Sequence, residues 1–389
     1  MSFTQYYKVL NLYDAAEAAY GNGQHEQSAE LYRQALVIAE SSDEVPVFLR
    51  GMLRRAYADE LVALERLREA LAALAPMSQK DKQEDCRACC IFGNLTDHIE
   101  IAQKLPVSLK TIERAYAQAE DYYPGAGDKS WQSRILHYKG QLHLARGRYA
   151  EALTTAQEGW AVWQKECPKM YGTSHLHGLF RISLAARDSV LAHSYLRRWE
   201  EYDRREDKGY KIREMVRCQM ESELARLEGR TAEALDWARR AAQGAELIDW
   251  GTIRYAVCNA SVRAFLLAGE DARARDILAR LSRMRRAESA HDRYSFQLLR
   301  ADYHLARARR AAGLAPADDE LATEFPAPGA LTNPRAPLFE LARARAAYDA
   351  ALRVGRWIDE QLECHARRQE INARLARVAA IERLTPRRL

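Results

Sequence analysis

Leu136-His-Tyr-Lys-Gly140-Gln-Leu-His-Leu-Ala-Arg-Gly147-Arg-Tyr149-Ala-Glu-Ala152-Leu-Thr-Thr-Ala156 reads as a helix, a tight turn at Gly147 and a second helix. Glycine takes up the left-handed conformation that ends the first helix, and a small residue five positions on lets the second helix cross close to it. Residues four and seven beyond that small one share its face and supply a buried seam. The same marks recur: Gly229 precedes Ala234, Ala238 and Ala241, and Gly269 precedes Ala274, Leu278 and Leu281. Arg187 holds the turn slot before Ala192, Leu196 and Trp199, and Gly23 holds it before Ser28, Tyr32 and Ala35. Taking Gly313 and Gly355 as further turns, positions 147, 187, 229, 269, 313 and 355 are spaced by 40, 42, 40, 44 and 42 residues. A period near 41 predicts stacked helix pairs rather than a globule with one core.

Composition agrees. Gly 19 and Pro 11 leave a chain of 389 residues seldom interrupted, and 48% apolar with 29% charged residues predicts a folded protein rather than a disordered one. Lys and Arg exceed Asp and Glu by 59 to 54, a surplus too thin for a dedicated nucleic-acid binder. No apolar run approaches the length of a membrane span, and Met1 to Ala15 lacks the basic-then-apolar pattern of an export signal. Seven cysteines in so long a chain suit a reducing compartment, so a cytoplasmic protein without disulfides is expected.

On Gly140, Gly147, Tyr149 and Ala152, and on Ser28, Tyr32 and Ala35, the chain resembles the tetratricopeptide repeat (TPR) family, in a long-period variant found in bacterial regulators. The resemblance covers most of the chain and implies an all-α, TPR-like right-handed α-solenoid of about eight helix pairs. Within one continuous solenoid, residues 1–125 are expected to form N-terminal helical repeats with one long helix at 47–74, and 126–323 the regular repeats. Residues 324–389 are expected to hold a proline-containing loop at 325–334, the last pair, and a terminal helix at about 357–384. Arg367, Arg368, Arg374 and Arg377 on that helix read as a polar cap. A connector at 75–83 and a further pair at about 84–104 and 107–122 complete the expectation.

Chemistry is scarce. Pro124-Gly-Ala-Gly-Asp-Lys129-Ser130 lacks the Gly directly before Lys-Ser that a phosphate loop needs, and Gly21-Asn22-Gly23 reads as a helix C-terminal turn. Cys86, Cys89 and Cys90 with His98 offer one Cys-x2-Cys pair but no second pair to complete four-coordination, so core packing is expected. His175 and His177, read as preceding a helix, have no ligand partners at metal spacing. With no nucleophile elbow, zinc-protease pair or carboxylate dyad, the chain is expected to be no enzyme and to need neither cofactor nor metal.

In the resembled family the groove-facing side chains lie 13, 10, 6 and 3 residues before the turn residue. Carried over, these offsets select Arg134, His137, Gln141 and Leu144; Ser174, His177, Arg181 and Leu184; Val216, Gln219, Glu223 and Arg226; Ala256, Asn259, Arg263 and Leu266; and Arg300, Tyr303, Arg307 and Arg310. Seven of these are Arg and one is Glu, which predicts a basic inner wall able to grip carboxylates, with Asn and Gln available to a peptide backbone. The alternative is that these arginines only solvate helix faces or pair with neighbouring carboxylates. Partner contacts are expected at Arg134, His137, Gln141, His177, Arg181, Gln219, Asn259, Arg263, Arg300, Tyr303 and Arg307. The partner would be a protein or peptide, acidic or held by its C-terminus. Residues 270–312 carry eleven Arg against six acidic residues, but the helical period scatters them, so nucleic acid is not expected. Two other readings stand beside the scaffold: a sensor of a signalling peptide that changes superhelical pitch, and a sensory module acting through Gln369–Leu389 on a separate output domain.

Overall fold

The computed structural model describes residues 4–64, 66–74, 130–166, 172–205, 211–245, 251–284, 290–311 and 336–384. The expected connector at 75–83, the pair at 84–122 with its three cysteines, the 124–129 turn, Gly313 and the 325–334 loop lie outside these residues. Among the described residues there are fifteen elements, all helical. The first four are α1 (Thr4–Gly21), α2 (His25–Glu40), α3 (Val47–Ala63) and α4 (Leu67–Leu74). Next come α5 (Ser130–Ala145), α6 (Tyr149–Glu166), α7 (Gly172–Ala185), α8 (Ser189–Arg205), α9 (Lys211–Leu227) and α10 (Thr231–Ala245). The last five are α11 (Gly251–Leu267), α12 (Asp271–Met284), α13 (Ala290–Ala311), α14 (Ala336–Gln361) and α15 (Ala366–Leu384). None is long and apolar enough to cross a membrane.

The turn slots behave as the repeat requires. φ is 74° at Gly23, 73° at Gly147, 61° at Arg187, 74° at Gly229 and 77° at Gly269. One residue beyond each, an amide donates to the carbonyl five back: Gln24 to Ala19 at 2.9 Å, Arg148 to His143 at 2.9 Å and Asp188 to Ser183 at 2.9 Å. Arg230 to Ala225 and Glu270 to Phe265 close in the same way at 2.8 Å each. The small residues five positions after the turns, Ser28, Ala152, Ala192, Ala234 and Ala274, are all 0% exposed. Backbones meet there. A Cβ on Gly159 would lie 3.0 Å from both Leu136 Cβ and the Ser133 carbonyl oxygen, so α5 and α6 cross at nearly the closest distance a helix pair allows.

Three expectations fail. The single helix at 47–74 is two, α3 and α4. The Arg66 amide bonds back to the Leu61 carbonyl at 2.7 Å and its side chain holds Glu69 in the first turn of α4, a stop that carries neither Gly nor Pro. Gly355 is not a turn but sits inside α14, where a Cβ would meet Tyr294 Cε2 at 3.0 Å and Arg367 Cβ at 3.1 Å. The turn falls at Glu363, with φ 50°, and Cys364 donates to the Asp359 carbonyl at 2.9 Å, so the last helix starts at Ala366 rather than 357.

Two of the four arginines on α15 that read as a polar cap, Arg367 and Arg374, do not face solvent. Arg367 and Arg374 are 8% and 3% exposed, and each is consumed by a buried network. Arg374 Nη1 donates to Asp302 Oδ1 at 2.5 Å and Nη2 to Glu370 Oε1 at 3.0 Å, while the Tyr348 hydroxyl donates to Asp302 at 2.6 Å. Arg367 Nη1 donates to Asp359 Oδ1 at 3.2 Å and, across 222 residues of chain, to the Ala145 carbonyl at 3.1 Å. Ile135 and Leu142 of α5 share one apolar core with Leu298 of α13, Tyr348 of α14 and Ile371 and Val378 of α15. Each first helix touches the next, from α5 through α7, α9 and α11 to α13. With α15 bonded to both α13 and the end of α5, the first helices form a closed circuit, and α3 also reaches α11.

Gly159→Ala should lower unfolding free energy by about 1–3 kcal/mol through overpacking. Arg187→Gly should raise it by up to ~1 kcal/mol by relieving a left-handed non-glycine. Arg374→Ala, which strands the Asp302 carboxylate, should cost about 3–5 kcal/mol. Urea unfolding with unchanged m-values is the measurement.

Candidate functional site

The offsets from the turn bring His137 and Gln141 of α5 against α7. A Cβ on Gly178 would lie 2.5 Å from His137 Cε1 and 2.8 Å from Gln141 Nε2, so glycine lets α7 approach these two side chains. The His137 ring lies 4.9 Å from that of His175. Ser133 Oγ donates to the Gly159 carbonyl at 2.8 Å and therefore accepts from His175 Nε2 at 2.7 Å, which fixes the Nε2–H tautomer. His175 and His177 do not precede a helix. They lie inside α7, because the repeat's first helix starts at Gly172.

Arg181, one turn beyond His177, is open to solvent. The surrounding protein nevertheless pushes its guanidinium below the usual value, with Glu223 on α9 pulling the other way. Burial, reinforced by Arg181, drives the His177 imidazole down to about 3. Burial, then His175 and Arg134, holds His137 well below its ordinary range. Both rings are neutral at physiological pH and present hydrogen-bonding groups rather than charge. Gln141 Nε2 and His177 Nε2 are buried without a hydrogen-bond partner among the described residues, an arrangement that native interiors seldom leave unanswered.

Further round the circuit, Arg134, Asn259 and Arg263 are partly exposed and Gln219 is buried. Arg263 acts on Asp302, whose carboxyl is raised by burial against the pull of Arg374 and Arg263. The wall is therefore mixed rather than uniformly basic: Glu223 acts on Arg181, and Arg263 on Asp302.

Arg300, Tyr303 and Arg307 do not join this set. The face of α5 that meets α6 is Ser133, Leu136 and Gly140, whereas the face of α13 that shares a core with α14 is Leu298, Ala301 and Leu305. The two sets differ by 165 residues, which puts the register of α13 one residue ahead of a turn at Gly313. That shift turns Asp302 toward the circuit's interior. It leaves Arg300 and Tyr303 beside α12, and Arg307 paired with Glu340 of α14 at 3.2 Å. The sequence reading also missed Asp302, Glu340 and Glu370. The signal at Asp302 and Glu340 is a carboxylate set among apolar residues, and at Glu370 its place four residues before Arg374. Among the described residues no group of three or more His, Cys, Asp or Glu is placed to hold a metal.

Paired helices, left-handed turn slots and first helices that touch in sequence define a TPR-like α-solenoid. Among solved structures, the chain aligns with a Rap protein complexed with competence and sporulation factor at a TM-score of 0.53 and 11% identity, over 97% of this chain and 98% of that one. At that identity the likeness is one of fold. The P58(IPK) TPR domain aligns over 98% of this chain and 100% of that one at 12% identity, but its TM-score of 0.27 is too low to carry an argument. No family model and no curated protein matches the sequence.

The depressed His177 value has a thermodynamic consequence. Unfolded, the ring binds a proton below about pH 6.5, while folded it stays neutral down to about 3. The native state thus loses stability as pH falls through that window, by up to ~1.4 kcal/mol per pH unit for this ring. Denaturant unfolding between pH 7 and pH 5 should be less pH-dependent in His177→Gln than in the parent chain.

Proposed function

We propose that the chain is a non-catalytic scaffold or regulator that holds an extended segment of a partner protein, or a peptide, in the hollow of its first-helix circuit. The observation that carries this reading is Arg181, an exposed cation one turn from His177, set beside Gln141 Nε2 and His177 Nε2, which have no hydrogen-bond partner among the described residues. A carboxylate on the partner would pair with Arg181, and backbone amides and carbonyls would meet the neutral imidazole and the side-chain amide. Arg134, Asn259 and Arg263 extend the same wall, so an acidic or C-terminal segment suits it better than a basic one. The fold neighbour complexed with competence and sporulation factor supports a binding role for the architecture, and a cytoplasmic location belongs to the same reading.

A second reading is a sensor that changes superhelical pitch, and one contact would resist that change. The bond from Arg367 to the Ala145 carbonyl ties α15 to α5, and any change of pitch would have to stretch it. Selection of a displayed library of random peptides with free C-termini tests the binding role. Enriched sequences should be acidic, and Arg181→Ala and Arg263→Ala should each weaken them about tenfold or more. The loss should be smaller in 0.5 M than in 0.1 M salt, roughly as screening of exposed charge dictates. No enrichment, or full affinity in both variants, would remove the hollow as the site.

A further inference from the structure

The repeats supply their own internal control. Where the second helix of one pair meets the first helix of the next, the residue thirteen beyond the turn faces the residue twelve before the following turn. At α6–α7 that seam is plugged by rings: Trp160 stacks on Trp163 at 5.0 Å, and His175 lies 6.5 and 6.2 Å from the two. At α8–α9 it is an ion pair, Arg217 to Glu200 at 3.7 Å. At α10–α11 it is apolar, Ala242 with Val257. At α12–α13 the corresponding residues, in the register α13 adopts, are Ser282 and Arg300. Among the described residues the seam here stays open as a cleft of about 440 Å³, lined by Arg275, Leu278, Ala279, Ser282, Phe296, Arg300, Tyr303 and His304.

Arg217, in the slot equivalent to Arg300, has two carboxylates, Glu200 and Glu214. Arg300 is exposed and has no hydrogen bond or ion pair among the described residues. Arg275 is paired with Asp276 at 3.5 Å, and the three uncharged polar groups of the cleft have fixed roles. Ser282 Oγ donates to the Ala279 carbonyl at 2.8 Å, so toward the cleft it can only accept. His304 Nδ1 is bonded to Glu340 Oε2 at 2.7 Å, which assigns the ring proton to Nδ1 and leaves Nε2 as an acceptor. The Tyr303 hydroxyl accepts from Arg307 Nη1 at 3.4 Å and keeps its own proton to donate. Leu278 and Phe296 supply an apolar floor.

We infer that this cleft is a binding site for an α-carboxylate carried beside an N–H and an apolar side chain, the chemistry of an N-acylated apolar amino acid. Arg300 and the Tyr303 hydroxyl take the carboxylate, with Arg275 at the lip. His304 Nε2 or Ser282 Oγ accepts the N–H, and Leu278 and Phe296 cover the side chain. The cleft lies between α12 and α13 rather than at Arg181, so this site stands or falls apart from the hollow. A free acyl amino acid and the last residue of a peptide share this chemistry.

Isothermal titration of the full chain with N-acetyl-L-phenylalanine, its amide, and the pentapeptide Ala-Ala-Ala-Ala-Phe decides the matter. The acid should bind about tenfold or more tightly than the amide, and Arg300→Gln should remove that preference. Ser282→Trp, which rebuilds the plug seen at Trp160, should abolish binding with the melting temperature kept or raised. Tighter binding of the pentapeptide assigns the source to a chain end, and tighter binding of the acyl amino acid to a free small molecule; either supports the site. Equal affinity for acid and amide, an unaffected Arg300→Gln variant, or no binding of the acid at millimolar concentration overturns it. Arg300→Gln keeps the test open should Ser282→Trp fail to fold.

Discussion

The structure depends on one local constraint, a backbone forced into the left-handed region at five turns, each followed five residues later by a side chain too small to hold two helices apart. Ending a helix this way sends the next one back across it at a fixed angle, and the fully buried Ser28, Ala152, Ala192, Ala234 and Ala274 set how closely it crosses. Because the unit repeats, a small rotation per pair accumulates, and the row of first helices curves until α15 reaches α5. The bond from Arg367 to the Ala145 carbonyl is the product of that accumulation. It uses a carbonyl at the end of α5 that the helix itself leaves without a partner.

A closed circuit changes what its inward side chains can do. On an open helix surface Arg181 would be an ordinary solvated cation. Exposed yet beside neighbouring first helices, its guanidinium is pushed below its usual value against the pull of Glu223, and its two histidine neighbours are held neutral by burial. The outer seams follow a different rule. There the same two slots hold an indole and an imidazole, an ion pair, two apolar residues or, among the described residues, an open gap between Ser282 and Arg300. A repeat architecture keeps its spacing while the filling varies, so an unfilled seam stands out against its siblings.

Much of this was legible in the sequence because the turn and the crossing are both local. Gly23, Gly147, Gly229 and Gly269 announce themselves, and Arg187 could be assigned from the small residue that follows it. The turn at Glu363 could not, since its left-handed residue is not glycine and Gly355 offered a better-looking substitute that serves close packing instead. The break after Leu64 likewise has no Gly or Pro to mark it. Of the groove positions, His137, Gln141, His177 and Arg181 come together as the spacing implied, but Arg300, Tyr303 and Arg307 do not. Their offset was counted from a turn one residue out of step with the register of α13. The buried charges of Asp302, Asp359, Arg367 and Arg374 were hidden for another reason. Their partners lie on other helices, and a polar residue on a terminal helix reads equally well as solvated until its neighbours are known.

The closed circuit can be measured directly by pulsed electron–electron resonance between spin labels at Arg148, just past the first turn of the circuit, and Gln369, in the opening turns of α15, in a chain whose native cysteines have been replaced. Closure predicts a single short, narrow distance distribution that broadens when Arg367 is changed to Ala. A long or broad distribution in the parent chain, as an open spiral would give, contradicts it.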